Sequence, residues 1–183
     1  MLGLPDQAVG TIVAALIGAI IALLGLVISK EHKVSEFRQA WIDDLRADIA
    51  LLITHGYAIV GASLAFQNDA ERWRSAREDY LGINAASARI KLRLNPKEKP
   101  SIVLFELLKQ HESFFATHPL PEPKTLIPLE MKILECAQGI LKQEWVRVRS
   151  GEAAYRVTKT FAWLVTLACA LALIAKLVYL FLQ

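Results

Sequence analysis

The chain has 183 residues, of which 54% are hydrophobic and 21% are charged, and its formal net charge is only +3. This small charge argues against a protein dedicated to binding nucleic acid, which needs a large basic excess. The two cysteines, Cys136 and Cys169, fall in differently composed segments and exclude a disulfide framework. The first 29 and last 24 residues are nearly all apolar, whereas the middle has the composition of a soluble protein.

The first apolar segment, Ala8–Ser29, contains no charged residue. A helix needs about 20 apolar residues to cross the hydrocarbon core of a bilayer. The preceding residues include Asp6 but no Lys or Arg, and the apolar run is longer than the roughly 7–15 residues of a signal-peptide core. These features predict a transmembrane helix rather than a cleaved signal peptide.

Helix one of the middle segment is expected to continue from this span to Gln67, giving a rod of about 60 residues. Its apolar residues recur at spacings of three and four, as on one face of an amphipathic helix. That stripe comprises Val34, Phe37, Trp41, Leu45, Ile49 and Leu52. The opposite, solvated face is expected to carry Arg38, Asp43, Arg46 and Asp48.

Three further helices are expected before the chain returns to the membrane, with N-caps at Asp69, Ser101 and Thr125. Helix two covers 69–94, although its end (89–95) alternates like a short strand. Helix three covers 101–116, and helix four runs towards the second span with Gly151 as the expected kink. The apolar face of helix two is expected to comprise Trp73, Ala76, Tyr80, Leu81, Ala88 and Leu92.

The second apolar segment starts after Lys159 and is uncharged from Thr160 to Ala175, where Lys176 interrupts it. Lys176 falls about 25 Å along the helix from Lys159, near the far headgroups, where a lysine can extend its amine to water. Alternatively, Lys176 pairs with Asp6 or lines an oligomeric pore, since charges in membrane helices usually face protein or water.

Basic residues flank the inner ends of both apolar segments, which places the middle in the cytoplasm and both termini outside. These residues are Lys30, Lys33, Arg38, Arg147, Arg149, Arg156 and Lys159. The predicted fold is therefore all-α: two transmembrane helices (1–29 and 160–183) flank a cytoplasmic four-helix bundle (30–159). The first and last bundle helices are predicted to be continuous with the spans.

Small residues recur every four positions on one face of each span, which permits close approach of another helix in lipid. Two readings of these faces stay open: they pack the two spans of one chain together, or they assemble several chains into a homo-oligomer. The residues are Gly10, Ala14, Gly18 and Ala22 in the first span and Ala168 and Ala172 in the second.

The middle segment offers little catalytic chemistry. His111-Glu112 begins like a zinc-binding helix motif, but Phe115 occupies the second histidine position, so we expect no metal, no cofactor, no small-molecule substrate and no enzyme. A basic patch is the more suggestive feature: either a solvated surface or a contact for nucleic acid, a partner protein or anionic lipid. It comprises Arg89, Lys91, Arg93, Lys97 and Lys99.

Three stretches carry a family resemblance: SEFRQAWIDDLRADIA (35–50), RIKLRLNPKE (89–98) and ILKQEWVRVRSGE (140–152). With the layout of two spans, they resemble small two-transmembrane proteins of bacteria, including membrane effectors of anti-phage defence systems such as retrons. The resemblance implies a toxin-like protein of the inner membrane, held silent by a cytosolic regulatory protein or nucleoprotein complex and then released to damage the membrane.

Three functions follow as alternatives. The first is an effector that permeabilises the membrane when its helical domain is triggered. The second is a membrane-anchored scaffold or adaptor whose basic patch docks a cytosolic partner. The third is a transporter or channel subunit, for which two spans with few polar residues form a poor conduit unless several copies assemble.

Overall fold

The computed structural model describes residues 6–150 and 153–181, and these residues form five α-helices. The helices are α1 (Asp6–Ala65), α2 (Asp69–Arg93), α3 (Lys99–Ala116), α4 (Leu126–Ser150) and α5 (Ala153–Phe181), with a short 3₁₀ helix at Pro123–Thr125. The all-α prediction is confirmed. The strand considered for 89–95 is wrong, because α2 continues through Arg93. The expected kink, Gly151, lies outside the described residues.

The chain divides into two compact units. The terminal unit combines the chain up to Phe37 with the chain from Arg147 onwards, and the central unit runs from Arg38 to Val146. The predicted boundaries at 29/30 and 159/160 mark membrane surfaces rather than packing, so they stay a prediction.

Helix α1 is one uninterrupted helix of 60 residues that contributes to both units, as its lack of proline predicted. Within the described part of the chain, α1 is the one helix that is long and apolar enough to cross a membrane, judged by length and composition. The part of α1 that meets these criteria is Ile17–Ala65. In its most apolar stretch of 18 residues, about a third is buried inside the protein.

The helix starts differ from their predicted caps. Asn68, rather than Asp69, caps α2, accepting a hydrogen bond from the Ala70 amide at 2.8 Å. Helix α3 begins at Lys99, two residues before Ser101, because Pro100 fits the first turn of a helix. Thr125 ends the 3₁₀ helix, and its hydroxyl donates to the Glu122 carbonyl instead of capping α4.

The core of the central unit lies where its helices meet, and the predicted stripe of helix one supplies Leu45, Ile49 and Leu52 to it. Leu45 and Leu52 of α1 are fully buried, as are Leu104 and Leu108 of α3 and Ile133 of α4. Removing such leucines from water stabilises the fold by roughly 1.5–3 kcal/mol each. The predicted stripe of helix one is wrong at Phe37, which belongs to the terminal unit and is exposed.

The predicted apolar face of α2 is correct at Ala76, which is buried, but wrong at most of its other positions. Leu92 is 86% exposed, and Leu81 and Ala88 are also exposed. The buried side of α2 combines Ala76 with Ile83, Ala86 and Ile90, three residues outside the predicted face. Polar contacts with α1 favour burial of this side of α2. Asp79 forms a hydrogen bond with His55 at 2.8 Å, and the Arg93 carbonyl accepts a hydrogen bond from Trp41 at 3.2 Å.

Candidate functional site

The first polar cluster of the central unit is an ion-pair network between α1 and α2. Asp48 is only 5% exposed, so its prediction as part of a solvated face is wrong. Its two carboxylate oxygens accept hydrogen bonds from Arg89 at 2.6 Å and from Arg93 at 3.0 Å. Arg93 also reaches Asp44 at 2.9 Å. A buried carboxylate needs such partners, since an unpaired one would be strongly destabilising.

A second contact links α2 to α3. Glu112 accepts hydrogen bonds from Ser87 at 2.6 Å and from Lys91 at 2.5 Å. Burial acts to raise the pKa of Glu112, but the hydrogen bonds from Lys91 and Ser87 outweigh it and hold that pKa below its usual value. The sequence indicated Glu112 only as part of an incomplete zinc motif; in the structure it joins α2 to α3.

The sequence-predicted basic patch is therefore largely used inside the central unit. Arg89, Lys91 and Arg93 each form an ion pair with α1 or α3. Lys97 and Lys99 are exposed and form no ion pair with the described residues. Of the five cations in this patch, only these two form no ion pair with the described residues. Contact between the patch and a partner stays a prediction.

The third cluster is the most unusual, because it is buried and lacks hydrogen bonds. His111 of α3 and Glu130 of α4 are 0% and 2% exposed, and Nε2 of His111 lies 3.9 Å from Oε1 of Glu130. No ring nitrogen of His111 and no carboxylate oxygen of Glu130 has a hydrogen-bond partner among the described residues. Gly56 of α1 makes room for the pair, since a Cβ there would lie 3.1 Å from Oε1 of Glu130.

Tyr57 provides the rim of this cluster. Interaction with Glu130, first by a side-chain hydrogen bond and then by the charge of the carboxylate, raises the pKa of the Tyr57 hydroxyl, and burial adds to the effect. That interaction is too long or poorly aligned to satisfy Glu130, because neither carboxylate oxygen has a partner of hydrogen-bond geometry. The exposed position of Tyr57 agrees with a weak contact.

The sequence drew attention to His111 only as part of an incomplete zinc motif, and it missed Glu130 and Gly56. A signal for Glu130 was present: it falls on the buried repeat of α4, formed by Leu126, Glu130, Ile133, Ala137 and Ile140. A carboxylate at such a position indicates a buried polar interaction. Its partner could not be found from one helix, since the contact joins α3 and α4.

In the terminal unit, the small residues of α1 face open space. Ala14, Gly18 and Ala22 are exposed, and a Cβ added at Gly18 would meet nothing within 4 Å. The side of α1 that meets α5 is a different one: Leu24, Val27 and Ile28 line a cleft together with Tyr155, Ala162 and Trp163 of α5.

Among the other predicted residues of the membrane helices, the structure describes the surroundings of one. Ala168 of α5 is exposed. The side chains of Gly10, Ala172, Asp6 and Lys176 lie outside the described residues, so their predicted roles in helix packing, a charge pair or a pore stay predictions.

Within the described residues, no three His, Cys, Asp or Glu side chains converge as they would around a metal ion. Cys136 is a free thiol beside the Pro100 carbonyl at 3.6 Å. Burial, and secondarily the charge of Glu135, raises the pKa of this thiol, which disfavours the reactive thiolate.

These features define the chain at the level of class: an all-helical protein with one long, apolar helix shared between two compact units. Comparison with family models, with characterised proteins and with solved structures found no match for this chain.

Proposed function

We propose that the chain is an effector of bacterial anti-phage defence that resides in the inner membrane and permeabilises it. Its central unit is cytoplasmic and is triggered, or released, by a regulatory protein or nucleoprotein complex. The apolar ends then assemble with those of other copies into a leak. The family resemblance of 35–50, 89–98 and 140–152 motivates the defence role.

One observation carries the proposal: α1 is a single 60-residue helix whose apolar N-terminal part and packed C-terminal part have no break between them. The half that would lie in lipid and the half that forms the core of the central unit are thus parts of one element. A change in the packing of Leu45 or Leu52 acts directly on a helix suited to crossing a membrane.

A second span in α5 completes the proposed topology. Thr160–Ala175 has no charge, and its length fits a helix that crosses most of the hydrocarbon core. Arg156 and Lys159 stand at its inner end, in keeping with the preference of basic residues for the cytoplasmic side.

The exposed small residues of α1 support assembly between copies rather than packing within one chain. Leu24, Val27 and Ile28 already line the side towards α5. Gly18 and Gly25 have nothing within 4 Å of an added Cβ, so neither glycine is needed for packing in the monomer. Close approach of a second helix would give them a role.

To test this proposal, the protein is expressed in bacteria without its regulatory partner, and growth and membrane potential are measured. The wild type is expected to depolarise cells and arrest growth, and Gly18→Ile is expected to abolish both effects. The matched control is Ala19→Ile, also at an exposed position but about 100° away around the helix. Normal growth and potential with correctly inserted wild-type protein would overturn the proposal.

The second candidate is a membrane-anchored adaptor without pore activity. The observation that favours it is a pair of exposed lysines, Lys97 in the turn before α3 and Lys99 at the first residue of α3, which form no ion pair with the described residues. An adaptor is expected to keep its biological activity in Gly18→Ile and to lose it when both lysines are replaced by glutamate. An effector is expected to lose activity in Gly18→Ile and to keep it when both lysines are replaced.

A further inference from the structure

The central unit contains a cavity of about 260 Å³ that none of the functions above uses. It lies where the end of α1, the first half of α2 and the loop after α3 meet, and it opens to solvent on one side. Ile59 and Ala62 of α1 and Ala76 of α2 supply its apolar lining, and all three are buried. Three chain segments thus converge on one space.

An aromatic pair forms one wall of this cavity. The rings of Trp73 and Tyr80 are one α-helical heptad apart on α2, with centroids separated by 5.6 Å and planes inclined by 35°. Trp73 is 57% exposed, although it is among the largest apolar side chains in the unit. An exposed tryptophan at the mouth of a cavity is typical of a surface that stacks on a ligand.

The charges around the cavity select against anions. Arg72 lines it, but its guanidinium is committed: it donates to the Phe66 and Gln67 carbonyls at 2.7 and 2.8 Å and pairs with Asp69 at 3.1 Å. The Asp69 carboxylate, also in the lining, is largely exposed. A phosphate would find no uncommitted guanidinium here and would be repelled by Asp69.

The remaining polar groups suit a ligand with both donors and acceptors. The Ser63 hydroxyl donates to the Val60 carbonyl at 2.7 Å, so its oxygen is left as an acceptor. The hydroxyl of Tyr80 is a donor at neutral pH, as in any tyrosine, and burial raises its pKa further. His118 adds an imidazole from the loop after α3.

We propose that this cavity binds a planar nitrogen heterocycle of nucleobase size, neutral or cationic, stacked on Trp73 with its amino group towards Ser63 and Asp69. The volume lies below the roughly 300–1,000 Å³ of sites for drug-sized ligands, so one ring system fits and a whole nucleotide does not. The proposal is independent of the membrane function, because it concerns binding to the central unit alone.

The test titrates the full chain, purified in detergent, with adenine, AMP and cyclohexylamine, using ligand-observed NMR. Adenine is expected to bind with a Kd of about 1 mM or tighter, in line with the binding free energy that a ligand of this size gains. AMP and the non-planar amine are each expected to bind about tenfold more weakly or not at all.

Variants place the site. Trp73→Leu is expected to weaken adenine binding by about tenfold, because it removes the aromatic ring on which the base stacks, whereas Trp73→Phe retains most of the affinity. Ser63→Ile, which puts a larger, apolar side chain into the lining of the cavity, is expected to abolish binding. Trp145→Leu is the control, since Trp145 is similarly exposed on α4 and does not line the cavity.

Thermal unfolding of each variant verifies the fold. The proposal is overturned if adenine shows no saturable binding up to about 5 mM, several times the expected Kd. It is equally overturned if AMP or cyclohexylamine binds as tightly as adenine, or if Trp145→Leu weakens binding as much as Trp73→Leu.

Discussion

At the scale of single residues, the buried pair of His111 and Glu130 is the least ordinary feature of the central unit. Two ionisable side chains are removed from water with 3.9 Å between them and without hydrogen bonds. Such a pair is costly unless its geometry is good, and replacing both members by apolar residues is often neutral or stabilising. Its presence is therefore poor evidence for stability and better evidence for a specific arrangement of α3 against α4.

Removing one member is expected to be worse than removing both. His111→Leu leaves the Glu130 carboxylate buried alone and is expected to lower the free energy of unfolding by about 3 kcal/mol. The double variant His111→Leu, Glu130→Met is expected to recover most of that loss. Chemical denaturation in detergent, followed by circular dichroism, measures both; a double variant less stable than His111→Leu would contradict this account of the pair.

Asp48 is expected to contribute more than any exposed carboxylate of α1. Asp48→Ala leaves Arg89 and Arg93 without their shared partner and is expected to destabilise the protein by about 1–3 kcal/mol, a range that allows for the partial exposure of both arginines. Asp43→Ala is the control, because its pair with Arg46 is exposed, and it is expected to cost less than about 0.5 kcal/mol. Equal shifts in thermal unfolding would refute the difference.

Glu112 makes stability depend on acid. Its pKa is held below the usual value of 4.5, so the ionised form is favoured by folding. The contribution of Glu112 is therefore present above the unfolded pKa and is lost as pH falls through the lower, folded pKa. Between about pH 5 and pH 3, wild-type stability is expected to fall more steeply than that of Glu112→Gln. Parallel unfolding curves for the two proteins would show that Lys91 and Ser87 do not favour the carboxylate.

At the scale of elements, the continuity of α1 is the property on which the proposed mechanism depends. Gln39 is exposed on this helix, just inside the central unit. Gln39→Pro removes a backbone hydrogen bond and breaks or kinks the helix at a cost of about 3 kcal/mol. The variant is expected to stay folded in its central unit but to lose membrane depolarisation. Gln39→Ala is the control, and a fully active proline variant would show that continuity is unnecessary.

The existence and order of the helices could be predicted from the sequence, because proline, asparagine and glycine mark the breaks and apolar residues repeat with helical spacing. The face of α2 that is buried could not be predicted in the same way. Its buried face depends on Asp48 and His55 of another helix, and a single-helix pattern carries no information about such partners. Starts shifted by up to two residues for a local reason: Asn68 and Pro100 compete with Asp69 and Ser101 for the first turn.

At the scale of the whole molecule, the candidate sites were predicted only in part. The basic patch was visible in the sequence, but the ion pairs that use Arg89, Lys91 and Arg93 depend on tertiary packing. Glu130 and the cavity beside Trp73 also arise where different helices meet. The small residues of α1 are a different case: the sequence pattern predicted the face itself, on which Gly18 is exposed, whereas the residues that line the cleft towards α5 could be found only from the structure.

The proposed function requires that this chain alone can breach a bilayer. Purified protein is reconstituted into liposomes of bacterial lipids loaded with a self-quenched dye, and insertion is verified by protease protection. The rate of dye release by the wild-type protein is expected to rise faster than linearly with the number of copies per vesicle, because several copies form one leak. Ala19→Ile is expected to release dye as the wild type does, and Gly18→Ile is expected to release none. Liposomes that stay sealed with correctly inserted wild-type protein, at any copy number tested, would contradict the proposed function.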